Sequence, residues 1–204
     1  MRIQLAILSF LCLSLITIAE TNKLENLNIK FKLRGYCYAG SISNKSDIGG
    51  FGKSKNMPVD FPAYYKPKDQ QVKLIAFTNQ KKTFNNKYLG FTLILANSTT
   101  KDALYEGCDS RMSIIMQAKN EKGEWQNIEY LPSSWCGNSY HTITLPKNKA
   151  WVFSAPKYHG NYKTQLRFKF GQIFSNVFEG SINKEQFSVK RRYHSNNLMD
   201  PYKD

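Results

Sequence analysis

Apolar and polar side chains alternate with a period of two along most of this chain, and helical spacing of apolar residues is never sustained. Turn-forming clusters separate the alternating stretches at intervals of roughly 8–12 residues. Together these features predict an all-β fold, an antiparallel sandwich built around one core. The first nineteen residues follow neither pattern and form an element of their own.

That element joins Arg2 to an apolar run from Leu5 to Ile16, with the small residue Ala19 ahead of Glu20. A basic start, an apolar middle and a small exit residue make a secretory signal peptide. The run is short for a membrane span and is soon followed by Glu20 and Lys23. An uncleaved signal anchor is the alternative. A lipoprotein leader fits less well, because bulky Leu11 precedes Cys12. The mature chain is therefore expected to be secreted or periplasmic, with no transmembrane span after signal cleavage and about 185 residues, one ordinary domain.

The strands follow in order. From Asn28 to Arg34, Ile29, Phe31 and Leu33 share a face opposite Lys30, Lys32 and Arg34. Residues 35–71 then break the rhythm with Gly49-Gly50-Phe51-Gly52, Pro58, Pro62 and Pro67. Yet Tyr36, Tyr38, Phe51, Phe61, Tyr64 and Tyr65 are too many aromatics for a plain linker. A long loop of that kind is commonly functional. Strands are expected at 72–77, 88–96, 111–118, 125–130, 141–145, 151–155, 163–170 and 173–178, with a last one at 186–190. In 111–118, Met112, Ile114, Met116 and Ala118 line up; in 163–170, Leu166, Phe168 and Phe170 oppose Lys163, Gln165, Arg167 and Lys169. Turn signals such as Asn120-Glu121-Lys122-Gly123 and Pro146-Lys147-Asn148-Lys149 lie between them. The organisation predicted is a signal peptide (1–19), an N-terminal strand with a long irregular loop (20–71), the sandwich core (72–190) and a flexible tail (191–204).

Short antiparallel strands, with tryptophan available to pack beside a disulfide, resemble an immunoglobulin-like β-sandwich. The resemblance is one of fold class and names no family. Three cysteines remain after the leader: Cys37, Cys108 and Cys136. Outside the cytoplasm one disulfide is expected. Cys108 and Cys136 both sit in polar loop sequence and are the expected pair, contributing about 3–4 kcal/mol on the chain-entropy estimate. Cys37 continues the phase of Ile29 and Leu33 and is expected to be a buried thiol.

The net charge of +14 becomes +13 when Arg2 leaves with the leader. A positive extracytoplasmic protein suits an acidic polysaccharide, an anionic surface or an acidic protein partner. Much of the lysine alternates along strands, as a solvated face does, and nucleic acid is not the expected ligand. No His-Glu-x-x-His, Gly-x-Ser-x-Gly, phosphate-binding Gly-x-x-x-x-Gly-Lys or Cys-x-x-Cys pattern is present. His141, His159 and His194 lack ligand spacing, so neither metal nor cofactor is expected. Asp109, Glu124 and Glu129 stand out as acids only because acids are scarce.

The densest group of unusual side chains runs from Trp125 to Trp151. Trp125, Trp135, Asn138 and Tyr140 are the candidate binding residues, since aromatics beside a pinned loop offer large contact area at low entropy cost. The expected function is an exported binding module that contacts an envelope or extracellular protein. A carbohydrate or anionic-surface binding protein is the alternative. A hydrolase built on a free cysteine with His141 or His159 is the third reading.

Overall fold

A computed structural model of the chain describes residues 24–41, 54–132 and 139–188. Its elements are β1 (Leu33–Arg34), β2 (Val59–Asp60), β3 (Val72–Phe84), β4 (Tyr88–Asn97), β5 (Ala103–Cys108), β6 (Ile114–Lys119) and β7 (Trp125–Asn127). Then come β8 (Glu129–Tyr130), β9 (Tyr140–Leu145), β10 (Lys149–Pro156), β11 (Tyr162–Phe170), β12 (Ile173–Phe174) and β13 (Phe178–Ile182). A short 3-10 helix, Lys184–Phe187, closes the described chain. The all-β expectation therefore holds, with several antiparallel sheets. Among the described residues no helix is long and apolar enough to cross a membrane.

One sheet runs β2-β10-β4-β3; a second runs β12-β11-β6-β7, with β13 also on β11. β5 and β9 make a separate two-stranded ribbon, and β1 lies parallel to β8. Leu93, Leu95, Trp151 and Phe153 of the first sheet join Ile114, Met116, Leu166 and Phe168 of the second in one buried cluster. The period of two accounts for this: residues 166, 168 and 170 are buried while 163, 165, 167 and 169 face outward.

β4 departs from alternation because it is covered on both sides. Every residue from Gly90 to Asn97 is buried. On the outer side Ile94, Ala96 and Ala150 form a second cluster with Phe61, Tyr65, Ile75 and Phe77. The aromatics of the 35–71 segment thus serve as anchors. Phe61, Tyr64 and Tyr65 hold the stretch after β2 against the sheet by edge-on ring contacts of 4.9–6.3 Å. Phe51 lies outside the described residues.

Several boundaries differ from expectation. Only Leu33–Arg34 of the 28–34 stretch pairs as a strand, because the chain before it is held by single bridges and by the Asn183 side chain on the Ile29 carbonyl. β6 starts at Ile114 rather than 111, since the Met112 amide donates to the Cys37 carbonyl instead. Of the expected 186–190 strand, residues 186–187 instead end the 3-10 turn, where buried Gln186 accepts the Asn183 amide, and 189–190 lie outside the described residues. β2, β5 and β13 are additional strands.

The 125–130 strand divides at Ile128, and the division has a chemical consequence. The Ile128 amide still donates to the Met116 carbonyl. The chain then leaves β6 to pair with β1, and the Glu129 carboxylate takes the vacated Met116 amide at 2.8 Å. Its other oxygen accepts the Tyr36 and Tyr158 hydroxyls, both at 2.9 Å. Burial pushes the Glu129 carboxyl up to about 7, against the lowering effect of those three hydrogen bonds. Tyr36, Tyr158 and Cys37, buried around it, are all pushed well upward by desolvation.

Candidate functional site

The groove that the structure offers begins with a hairpin that fails to continue. Asp109 and Ser110 take left-handed backbone, φ 48° and 64°, the geometry of a two-residue hairpin turn. Cys108 and Arg111 flank it and exchange both backbone hydrogen bonds, at 3.0 and 2.9 Å. Beyond that pair the returning strand is drawn away. Arg111 bridges Tyr38, the Ala39 amide donates to the Ser110 carbonyl, and Met112 donates to Cys37. The two legs of the hairpin therefore splay.

A groove of about 560 Å³ opens in the gap. Leu104, Glu106 and Cys108 of β5 form one wall, and the Phe170–Ile173 turn forms the other. Arg111, Leu131, Pro132 and Tyr140 close one end. Leu104 is 65% exposed and Tyr140 41%, unusual exposure for such large apolar surfaces. Arg111 is fixed in place: its Nε and one terminal nitrogen donate to the Tyr38 hydroxyl at 3.2 and 3.1 Å.

The wall is also a strand edge that the described residues leave unpaired. Cys108 bonds Arg111 on the side of β5 away from β9. Ladder groups in an antiparallel strand alternate in direction, so the N–H and C=O of Glu106 and Leu104 point the same way as those of Cys108. None of the described residues pairs with them. An unpaired row of donors and acceptors beside exposed apolar side chains is a template for another strand.

The sequence-predicted residues fall in three places. Tyr140 lies in the groove. Trp125 sits on the outer face of the five-stranded sheet, half-buried, with the Arg167 guanidinium 4.3 Å from its ring centre. Trp135 and Asn138 lie outside the described residues, as does Cys136. Cys108 is a half-buried residue on the groove wall without a disulfide partner among the described residues; its expected partner, Cys136, lies outside them.

Other chemistry weighed in the sequence is distributed differently. His141 is half-buried in phase with Ile143 and Leu145. Its Nε2 lies 3.5 Å from the Ser110 hydroxyl and its Nδ1 lies 3.3 Å from the Ser139 carbonyl. Ser110 is itself buried, and its hydroxyl accepts the Ser54 amide at 3.3 Å, which is a structural tie. Cys37 is buried, with its thiol pushed upward, the opposite of nucleophile activation. Glu124 is an exposed turn residue bonded to Asn120, whereas Glu129 is sealed in the core. Asn97 is fully buried and donates to the Lys101 and Leu145 carbonyls.

The two described cysteines are expected to react very differently. Iodoacetamide added to the native, reduced protein should label Cys108 at least tenfold faster than Cys37, read by peptide mass mapping. Equal labelling would mean that Cys37 is not sealed by its neighbours. Comparison of the chain with known proteins returns no match: no family model, no curated protein and no solved structure is similar to it.

Proposed function

We propose that the chain is an exported, immunoglobulin-like β-sandwich binding module, and that its groove takes an extended segment of an envelope or extracellular protein by strand addition to β5. The free edge at Leu104 and Glu106 is the observation that carries this reading. Main-chain hydrogen bonds from such an edge supply affinity whatever the partner's sequence, and pockets for alternate side chains supply selectivity. Leu104, Leu131 and Tyr140 offer the apolar contacts; Glu106 and the fixed Arg111 offer charges of both signs at the rim. A Cys108–Cys136 disulfide formed after export would tie the chain beyond Pro132 to the same wall.

Glu106→Pro provides the test. Proline removes one outward N–H without touching the bonds from β5 to β9, and proline is tolerated on an exposed edge. The variant should keep its melting temperature within a few degrees and lose the partner. Photo-crosslinkers placed at Leu104 in the host should recover one protein repeatedly, and Glu106→Pro should abolish that adduct. Tyr140→Ala should weaken the isolated complex by about 2 kcal/mol. A crosslinked protein recovered equally with Glu106→Pro would remove strand addition as the mode of binding.

A further inference from the structure

Away from the groove, the outer face of the five-stranded sheet carries a second and independent constellation. Trp125, on the edge strand β7, reaches across β6 to Arg167 on β11. Arg167 lies between two rings, with its guanidinium carbon 4.3 Å from the centre of Trp125 and 4.0 Å from that of Phe174. Its Nε donates to the Gln117 carbonyl oxygen at 2.9 Å, and the Gln117 amide nitrogen donates to Asn127 at 2.8 Å. Two aromatics and one guanidinium are thus held in a row on the outer face of the sheet, with the exposed Asn127 beside them and the buried Gln117 amide bracing Arg167. A cation held on two rings is fixed in orientation and loses little freedom when a ligand arrives.

The charge around this row is one-sided. Lys119, Lys163 and Lys169 face outward beside Arg167, and none of the four forms an ion pair among the described residues. Glu179 is the acid opposite Gln165 on this face. On the far side of Phe174 a groove of about 590 Å³ continues the path, with Lys66 and Lys68 on its wall. A polyanion laid from Trp125 over Arg167 and Phe174 meets Lys119, Arg167 and Lys169, then Lys66 and Lys68 in the groove, where Lys73 is already paired with Asp69.

We infer that this face is a binding site for an acidic, carboxylated polysaccharide. Each part matches one property of such a polymer. Ring faces stack on the apolar faces of pyranose rings, and the cations meet uronate carboxylates. The exposed Asn127 amide and the half-buried Gln165 amide carry both donors and acceptors, as sugar hydroxyls require, while buried Gln117 braces Arg167 from beneath. A phospholipid headgroup would meet the cations but brings no ring to stack, whereas a single-stranded nucleic acid brings both bases and phosphates and is separated by the oligo-dT arm of the test.

The test is equilibrium binding of the purified protein to polygalacturonate. Neutral dextran, an oligo-dT strand and phosphatidylglycerol vesicles are the comparison probes. Polygalacturonate should bind at least tenfold more tightly than each of the others at 50 mM salt. That affinity should fall roughly tenfold by 200 mM salt, as counterion release and screening demand. Trp125→Ala and Phe174→Ala should each weaken it at least tenfold. Phe174 is 42% exposed, so its variant tests the site even if Trp125→Ala folds poorly. Glu106→Pro should change nothing, which separates this site from the groove. No binding of polygalacturonate, a preference for oligo-dT or vesicles, or full binding by Phe174→Ala would each overturn the inference.

Discussion

Glu129→Gln is expected to stabilise the protein above pH 7 and to flatten its stability between about pH 4.5 and 7. The folded carboxyl titrates at about 7, above the ordinary value of 4.5 that the unfolded chain returns to. Between those two pH values the folded chain holds a proton that the unfolded chain has lost. Stability contributed by the protonated group is therefore complete below about pH 4.5 and is lost as pH rises to about 7. The loss amounts to about 3 kcal/mol. Glutamine mimics the protonated group, with its oxygen toward the Met116 amide and its nitrogen toward the oxygens of Tyr36 and Tyr158. Glu129→Ala is expected to cost about 4 kcal/mol at pH 4.5, because it leaves two buried hydroxyls and one amide unpaired around a cavity, and to cost less above pH 7, where wild type has lost the contribution of the protonated carboxyl. Urea denaturation of all three proteins from pH 4.5 to 8 reads the result. Parallel pH profiles for wild type and Glu129→Gln would show that the carboxyl does not titrate in this window.

Trp151→Ala is the second large effect, with an expected cost of about 4 kcal/mol. The side chain is fully buried, packs against Tyr105, and donates its indole N–H to the Gly40 carbonyl at 2.8 Å. Tyr105 in turn meets Phe170 on the far wall of the groove, ring centres 4.9 Å apart. Removing the indole empties the centre of the first sheet and unpairs the segment around Gly40. Trp151→Phe keeps much of the volume and loses the hydrogen bond, so it should cost about 2 kcal/mol. Thermal melts should place Phe between wild type and Ala. Equal destabilisation by Phe and Ala would assign the whole effect to the Gly40 hydrogen bond rather than to packing.

The strands that sequence alone located are those where alternation maps directly on burial. β6, β9, β10 and β11 are of this kind, and β4 is recognisable as one long apolar run. β5 was hidden because its period-two signal is inverted: Leu104 points to solvent while Ala103, Tyr105 and Gly107 turn inward. The burial of Glu129 is hidden from the sequence for a related reason. Strict alternation from Trp125 would place Glu129 on the exposed face with Trp125 and Asn127. A single break at Ile128 reverses the phase and sends the carboxylate inward. Of the candidate site, Tyr140 and Trp125 were legible as unusual aromatics. The groove itself was not, because it exists only where Cys37 and Tyr38 pull apart a hairpin some seventy residues away, the Arg111–Tyr38 contact spanning 73 positions.

The N-terminal segment also has its partners late in the chain. Leu27 bridges Tyr158, Leu33 pairs with Glu129, and the Ile29 carbonyl waits for Asn183, 154 positions downstream. Local contacts could form early in synthesis, but these cannot. Closing such long loops comes late and slowly, since their entropy cost precedes any reward. A growing polypeptide with this wiring stays open at its leading end until almost all of it has been made, which is the state that the export proposed above would require.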